Sequence, residues 1–173
     1  NLSWTISEFC AQEKGKRTFP TKFSMVDPLL NLNHKGRVIA RVSLNPHYII
    51  KHTEFGTSSL SERIGAINKL CEAGYPVGIL VAPVIFLDGW QSLYTELFET
   101  MVSQLSAKAW GNVFFEVIFM TYSYIHDKIN TDAFPNAIKV FDKNLMTGRG
   151  RGKYWYKPEI RNEGEQFFRD LFE

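Results

Sequence analysis

The sequence predicts an α/β protein, part of an open (β/α) partial barrel that ends in a β-hairpin and a helix. Three observations carry that prediction. Short apolar runs alternate with amphipathic segments along most of the chain, the pattern of a parallel sheet with right-handed crossovers. The run from Phe55 to Pro83 holds one whole αβ unit with its punctuation intact. The strand-like runs Val77–Ile85 and Asn112–Met120 (NVFFEVIFM) are nearly continuous in apolar residues, as expected of strands in a covered parallel sheet.

The elements follow in order. Trp4–Lys14 reads as a helix with Ser3 as N-cap, Ile6, Phe9 and Cys10 inward, and Gly15 as its stop. Thr18–Ser24 is a short strand, and Asp27-Pro28 opens a helical turn that ends near Asn33. Arg37–Leu44 alternates Val38, Ala40 and Val42 against Arg37, Ile39 and Arg41 until Asn45-Pro46 breaks it. A short helix at His47–His52 leads into the αβ unit.

There, Ser59 with Glu62 three residues later has the spacing of a capping box. Leu60, Ile64, Ile67, Leu70 and Cys71 then form one apolar face, Gly74 ends the helix and Pro76 prevents its return. Gly89-Trp90 starts a helix with Leu93, Leu97, Phe98, Met101 and Leu105 at helical spacing, and Ser123–Ile129 another. Ala137–Phe141 and Lys153–Tyr156 read as the two arms of a hairpin around a Gly-Arg-Gly-Arg-Gly turn. Glu159–Phe172 closes the chain as a helix with Ile160, Phe167, Phe168 and Leu171 inward. We divide the chain into a barrel portion, 1–130, and a hairpin and helix, 131–173.

Four strands do not close a barrel, and a half-barrel leaves unpaired edges that call for further strands. The chain starts at Asn1 rather than at methionine, and we read it as either a piece of a longer protein or a trimmed form of one. Its 173 residues, 45% hydrophobic and 14% aromatic, suit one globular unit with a sizeable core. A net charge of +2 does not by itself mark a nucleic-acid binder. No apolar run approaches the roughly 20 residues of a membrane span. Cys10 and Cys71 fall on apolar helical faces, which predicts buried, reduced thiols and a cytoplasmic setting. Two cysteines cannot supply the clustered thiolates of an iron–sulfur site.

In parallel α/β folds the working residues lie where strands end. Lys22, Ser43 and Ala82 all occupy that edge. Lys22 emerges between Phe19 and Phe23, where a cation can meet a carboxylate or phosphate or simply reach water. Ser43 interrupts the apolar pattern of its strand, and Ala82-Pro83 offers a backbone carbonyl and amide beside a small side chain, so that a flat ring can approach closely and be met by the backbone. Glu116 is an acid within a buried run, either a ligand-binding carboxylate or a paired core charge. Tyr122, Tyr124 and Trp90 stand near strand exits. The histidines, His34, His47, His52 and His126, show no metal-ligand spacing and read as structural or exposed.

A second constellation runs from Lys143 to Arg161. It places Lys143, Arg149, Arg151, Lys153, Lys157 and Arg161 against Asp142 and Glu159, with Tyr154, Trp155 and Tyr156 interleaved. Cations hold phosphates and rings stack on exposed bases, so Arg149, Arg151, Lys153, Tyr154 and Tyr156 are candidate DNA contacts.

TKFS at Thr21–Ser24, RVSLNPHYIIKHTEFGTS from Arg41, the Phe55–Pro83 run and GKYWY at Gly152–Tyr156 closely resemble, in order and spacing, the C-terminal half of the spore photoproduct lyase family. The resemblance covers roughly Thr18 to Tyr156. It implies a radical S-adenosylmethionine (SAM) enzyme of DNA repair, with a partial barrel of the radical SAM type. Lys22 and Ser43 match family residues that contact SAM, and Ala82 matches a strand end lying along its adenine.

The family's 4Fe–4S iron–sulfur cluster, held by CxxxCxxC, cleaves SAM to a radical that attacks the thymine lesion, 5-thyminyl-5,6-dihydrothymine. Those cysteines have no counterpart here and are expected in an N-terminal half, so the chain alone is expected to be inactive. In the family an arginine followed by tyrosine on the hairpin engages the lesion. Here no tyrosine directly follows either arginine, and the family arginine aligns near Gly148, one residue from Arg149. Two other readings stay open: a non-catalytic nucleic-acid-binding relative, and a small-molecule αβ-barrel enzyme whose Lys22 forms an imine or grips phosphate.

Overall fold

Two sheets organise the protein, which we describe from a computed structural model over residues 2–12 and 14–173. The larger is parallel, in the order β1-β2-β3-β4, with β1 Arg17–Thr21, β2 Val38–Leu44, β3 Val77–Val84 and β4 Val113–Phe119. Arg41 pairs with Gly78 and Gly78 with Phe114, while Ser43 pairs with Leu80 and Leu80 with Glu116. β1 and β4 are the sheet edges.

Side chains alternate between the two faces of each strand, and this register sorts them. One face collects Val38, Ala40, Val42, Val77, Ile79 and Val81, all buried. Against it pack α3 (Leu60–Glu72), α4 (Trp90–Gln104), the short α5 (Ala107–Trp110) and α7 (Pro158–Phe172). The Ser59–Glu62 capping box at the start of α3 is formed reciprocally. The other face carries Arg41, Ser43, Leu80, Ala82, Glu116 and Ile118. Phe114 and Ile118 on it are exposed, at 42% and 43%.

The α7 helix reaches the core through one small residue. A β-carbon on Gly164 would lie 2.5 Å from Phe86 Cζ and 2.8 Å from Phe119 Cε1, so only glycine lets the helix approach. We expect Gly164→Ala to destabilise the fold by about 1–3 kcal/mol, despite alanine's better helix propensity. A denaturant midpoint shifted upward would show that the rings can move aside.

The second sheet is antiparallel, in the order β5-β7-β6, with β5 Thr121–Ser123, β6 Met146–Gly150 and β7 Lys153–Tyr156. The hairpin arms therefore differ from expectation. Ala137–Phe141 is irregular, and its apolar residues serve packing: Phe141 stacks on Tyr122 with centroids 3.5 Å apart. The glycine-bearing run MTGRG forms the strand instead, with Gly148 opposite Tyr154. Arg151 and Gly152 form the turn with φ of 53° and 69°, the left-handed pair that a two-residue hairpin loop needs.

Smaller differences lie at helix ends and faces. The first helix, α1, spans Leu2–Ala11, so Ser3 lies within its first turn, and the expected extension to Lys14 crosses Glu13, outside the described residues. The other two helices are α2, His47–Thr53, and α6, Tyr124–Ala133. On α4 the buried residues are Tyr94, Leu97 and Met101, so Tyr94 takes the place expected of Leu93.

Candidate functional site at the strand ends

Lys22 follows β1, Ser43 lies near the end of β2 and Ala82 near the end of β3. The register of the three parallel strands brings them together. Lys22 Nζ donates to Ser43 Oγ at 2.9 Å and to Ala82 O at 3.1 Å. Ser43 Oγ also donates to Ala82 O, at 2.7 Å. The Ala82–Pro83 peptide is cis. With its carbonyl engaged inside the protein, Ala82 offers a ligand its methyl group and the adjoining proline ring rather than that oxygen.

Three further residues complete the cluster, and sequence reasoning missed them. Glu54, just past α2, accepts from Lys22 Nζ at 2.6 Å and from Asn45 Nδ2 at 2.9 Å, both at Oε1. Asn45, fully buried, also donates to Ala82 O at 3.1 Å. Arg63 from α3 has no exposed side-chain surface and lies 2.7 Å from Glu54 Oε2. It donates to Ser58 O at 2.8 Å, Ser43 O at 3.0 Å and Thr57 Oγ1 at 2.6 Å. A signal for Arg63 was available: it sits at helical spacing between Leu60 and Ile67, a charge inside an apolar stripe. From the sequence Asn45 reads only as a strand breaker, and nothing local marks Glu54.

Burial draws the Lys22 ammonium below the ordinary lysine range; Glu54 opposes that pull, and the positive charge of Arg63 adds to it. Burial alone would raise Glu54. Hydrogen bonds from Lys22 and Asn45, with the charges of Lys22 and Arg63, outweigh it and hold the carboxyl below its usual value. The site is therefore a buried carboxylate between two cations. In front of it opens a cleft of about 550 Å³, with Lys22, Ser43 and Ala82 at one end and Pro20, Phe23, Leu80, Pro83 and Ile118 as apolar walls.

Glu116 is paired: Arg41 forms a two-pronged salt bridge with it across β3, Nε to Oε1 at 2.8 Å and Nη2 to Oε2. Both lie on the open face of the sheet. His34 is buried, stacks on Tyr75, accepts from Gly36 N at Nδ1 and donates from Nε2 to Ala73 O, which identifies its neutral tautomer. Trp90 packs against Phe86 and Phe167.

On the hairpin, Arg149, Arg151 and Lys153 are exposed. Tyr154 is half-buried, edge-on to Tyr124 at 5.3 Å. The stacking role expected of Tyr156 gives way to packing. Its side chain is buried and its hydroxyl accepts from Phe86 N at 3.1 Å, with burial pushing that hydroxyl up to about 12. Alternation along β7 turns Trp155 to the opposite face, where its ring lies 4.5 Å beneath the Arg149 guanidinium and is 38% exposed. Period-two reading of KYWY would have singled out Trp155.

The family model described as spore photoproduct lyase matches residues 1–173. Among curated proteins, the chain is 35% identical over 162 residues to the spore photoproduct lyase of Bacillus subtilis, covering 91% of this chain and 47% of that protein. It is 34% identical over 173 residues to that of a Geobacillus species, covering 98% and 51%. Among solved structures, a spore photoproduct lyase mutant with bound AdoMet and dinucleoside spore photoproduct superposes with a TM-score of 0.90 at 32% identity, over 98% of this chain and 51% of that one. The chain thus spans about half the length of the curated relatives it matches, and its parallel sheet matches the partial barrel of these structures.

Proposed function

Because the chain belongs to the spore photoproduct lyase family, we propose that it supplies the SAM-binding strand ends and the DNA-facing hairpin of an enzyme that repairs 5-thyminyl-5,6-dihydrothymine in DNA. The convergence of Lys22 Nζ, Ser43 Oγ and Ala82 at one edge of the sheet carries this reading. The ammonium suits a ligand carboxylate. The Ala82 methyl, Pro83 and Ile118 suit the face of a purine, and a cleft of about 550 Å³ lies within the range of small-molecule sites. Bound SAM supplies the family's hydrogen-abstracting radical chemistry. The part of this chain is to hold and orient the molecule.

The family's iron–sulfur cluster does not fit the residues present. Cys10 and Cys71 are buried free thiols, and no group of three metal-ligating side chains occurs among the described residues. We place its ligands in the other half of the enzyme. That half would also cover the open face bearing Phe114 and Ile118 and extend the sheet at its edge. Among the described residues no helix is long and apolar enough to cross a membrane.

The hairpin is the proposed DNA contact, through Arg149, Arg151 and Lys153 on the phosphates. The test uses the intact gene product, reduced and supplied with SAM, on a dinucleoside spore photoproduct and on a duplex carrying the same lesion. Both should be repaired. Replacing Arg149, Arg151 and Lys153 by alanine should spare the dinucleoside and weaken the duplex. It should also flatten the dependence of log affinity on log salt by up to about 2.7, at about 0.9 per lost phosphate contact. Failure to repair either substrate would remove the enzymatic reading, and an unchanged salt slope would remove the hairpin from the DNA interface.

A further inference from the structure

Lys22 uses all three ammonium protons inside the protein, on Glu54, Ser43 and Ala82. The three bonds are not equal. The bond to Glu54 is the shortest, at 2.6 Å, and it alone joins two charges. The Glu54 side chain is only 7% exposed, whereas that of Lys22 is 32% exposed at the rim of the cleft.

Glu54 is itself held from three separate parts of the fold: Lys22 after β1, Asn45 after β2 and Arg63 on α3. Both hydrogen bonds reach Oε1, whereas Oε2 makes no hydrogen bond and meets Arg63 as an ion pair, so the carboxylate is fixed at the oxygen that faces Lys22. A lysine side chain, by contrast, has four rotatable bonds and no geometry of its own. Resting on the reading of the cleft as a SAM site, we propose that Glu54 is the positioning residue of that site, setting where Lys22 Nζ sits while the bonds to Ser43 and Ala82 yield to the incoming ligand.

The charges are consistent with that division of labour. Lys22 and Glu54 alone would cancel and attract no anion. Arg63 adds a second, fully buried cation behind the carboxylate, so the three side chains sum to a net charge of +1. From α4, the Tyr94 hydroxyl faces Asn45 Oδ1 at 3.5 Å and is kept neutral by burial, adding no charge. Ser43 and Asn45 complete the polar surroundings and do not titrate. Glu54 itself does not line the cleft, so its contact with a ligand there runs through Lys22.

The test uses the intact gene product with Glu54→Gln, Glu54→Asp and Lys22→Ala. SAM binding is titrated by calorimetry from pH 7 to 9.5. In parallel, competitive acetylation of Lys22 is followed by mass spectrometry without SAM. We expect Glu54→Gln to bind SAM about tenfold more weakly at pH 7.5 and, as pH rises, to lose its remaining affinity at a lower pH than the parent does. Lys22 should become acetylated at lower pH while the other lysines react as before, which also reports that the variant is folded.

Glu54→Asp separates position from charge. It should keep the acetylation profile of Lys22 and still lose about threefold in affinity. Parent-like affinity, pH profile and Lys22 acetylation in Glu54→Gln would overturn the proposal, and so would parent-like affinity in Glu54→Asp if the glutamine variant does not fold. Loss of SAM binding in Lys22→Ala beside a parent-like Glu54→Gln would leave the cofactor reading standing and remove only Glu54. Undiminished binding in Lys22→Ala would remove both.

Discussion

Lys22→Ala is expected to weaken SAM binding by the intact gene product by about 30-fold or more, the consequence of removing one side of a desolvated charge pair worth about 2–5 kcal/mol. The variant loses the ammonium that would meet the ligand. It also leaves Glu54 Oε1 with only Asn45 and strips one donor from Ala82 O. Ser43→Ala removes a neutral hydroxyl and should cost about 0.5–1.5 kcal/mol, up to roughly tenfold. Arg149→Ala, on the hairpin, should leave SAM affinity unchanged.

The pH dependence has a definite sign. The ammonium is charged below the lowered pKa of Lys22, so affinity should hold at neutral pH and fall as pH rises through a value below the ordinary lysine range. Calorimetry that finds full affinity in both Lys22→Ala and Ser43→Ala would make the strand-end cluster scaffold only and would favour a nucleic-acid-binding reading of the chain.

Arg63→Ala should destabilise the fold by about 3–5 kcal/mol, because breaking a buried ion pair leaves the surviving charge without compensation. Arg63 holds the carbonyls of Ser58 and Ser43 and the Thr57 hydroxyl together with Glu54, so α3, the loop before it and the end of β2 lose a common anchor. Denaturant unfolding at neutral pH would measure the loss, and a change below about 1 kcal/mol would show that the cluster is not a structural hub. Acid should act on the same pair. The carboxyl of Glu54 lies below its usual value in the folded protein, so its contribution is present above the unfolded pKa and is lost as pH falls through the lower folded one. In Arg63→Ala the folded value moves back toward the ordinary one, so that acid loss should be smaller and complete at a higher pH.

The candidate site was half legible in the sequence. Lys22, Ser43 and Ala82 could be found because each breaks a local pattern at a strand end, where α/β folds place their chemistry, and because the resemblance to the family falls on those residues. Glu54 could not, since it sits in an irregular junction after a short helix where acidic residues are ordinary. Arg63 lies within a stripe that its apolar neighbours define, so its charge does not stand out there. On the hairpin, composition marked the tract correctly as basic and aromatic but did not sort Tyr156, which is buried, from Trp155, which is not. The first hairpin arm differs from the sequence expectation for a related reason: Val140 and Phe141 look like a strand because they are apolar, whereas MTGRG pairs through its backbone and leaves little mark in hydrophobicity.

By itself, the sequence determined the alternation of strands and helices, the capped start of α3, the buried character of β3 and the presence of cation, hydroxyl and small residue at successive strand ends. These follow from patterns spanning a few residues, through hydrogen bonding and burial that each segment demands of its surroundings. The tertiary structure alone decided that Lys22 meets Glu54 and Ala82, 32 and 60 residues away, and that Arg41 meets Glu116 across 75. Such contacts depend on the register between parallel strands joined by long crossovers. That register is settled when the helices bury one face of the whole sheet, and no local stretch of sequence contains it.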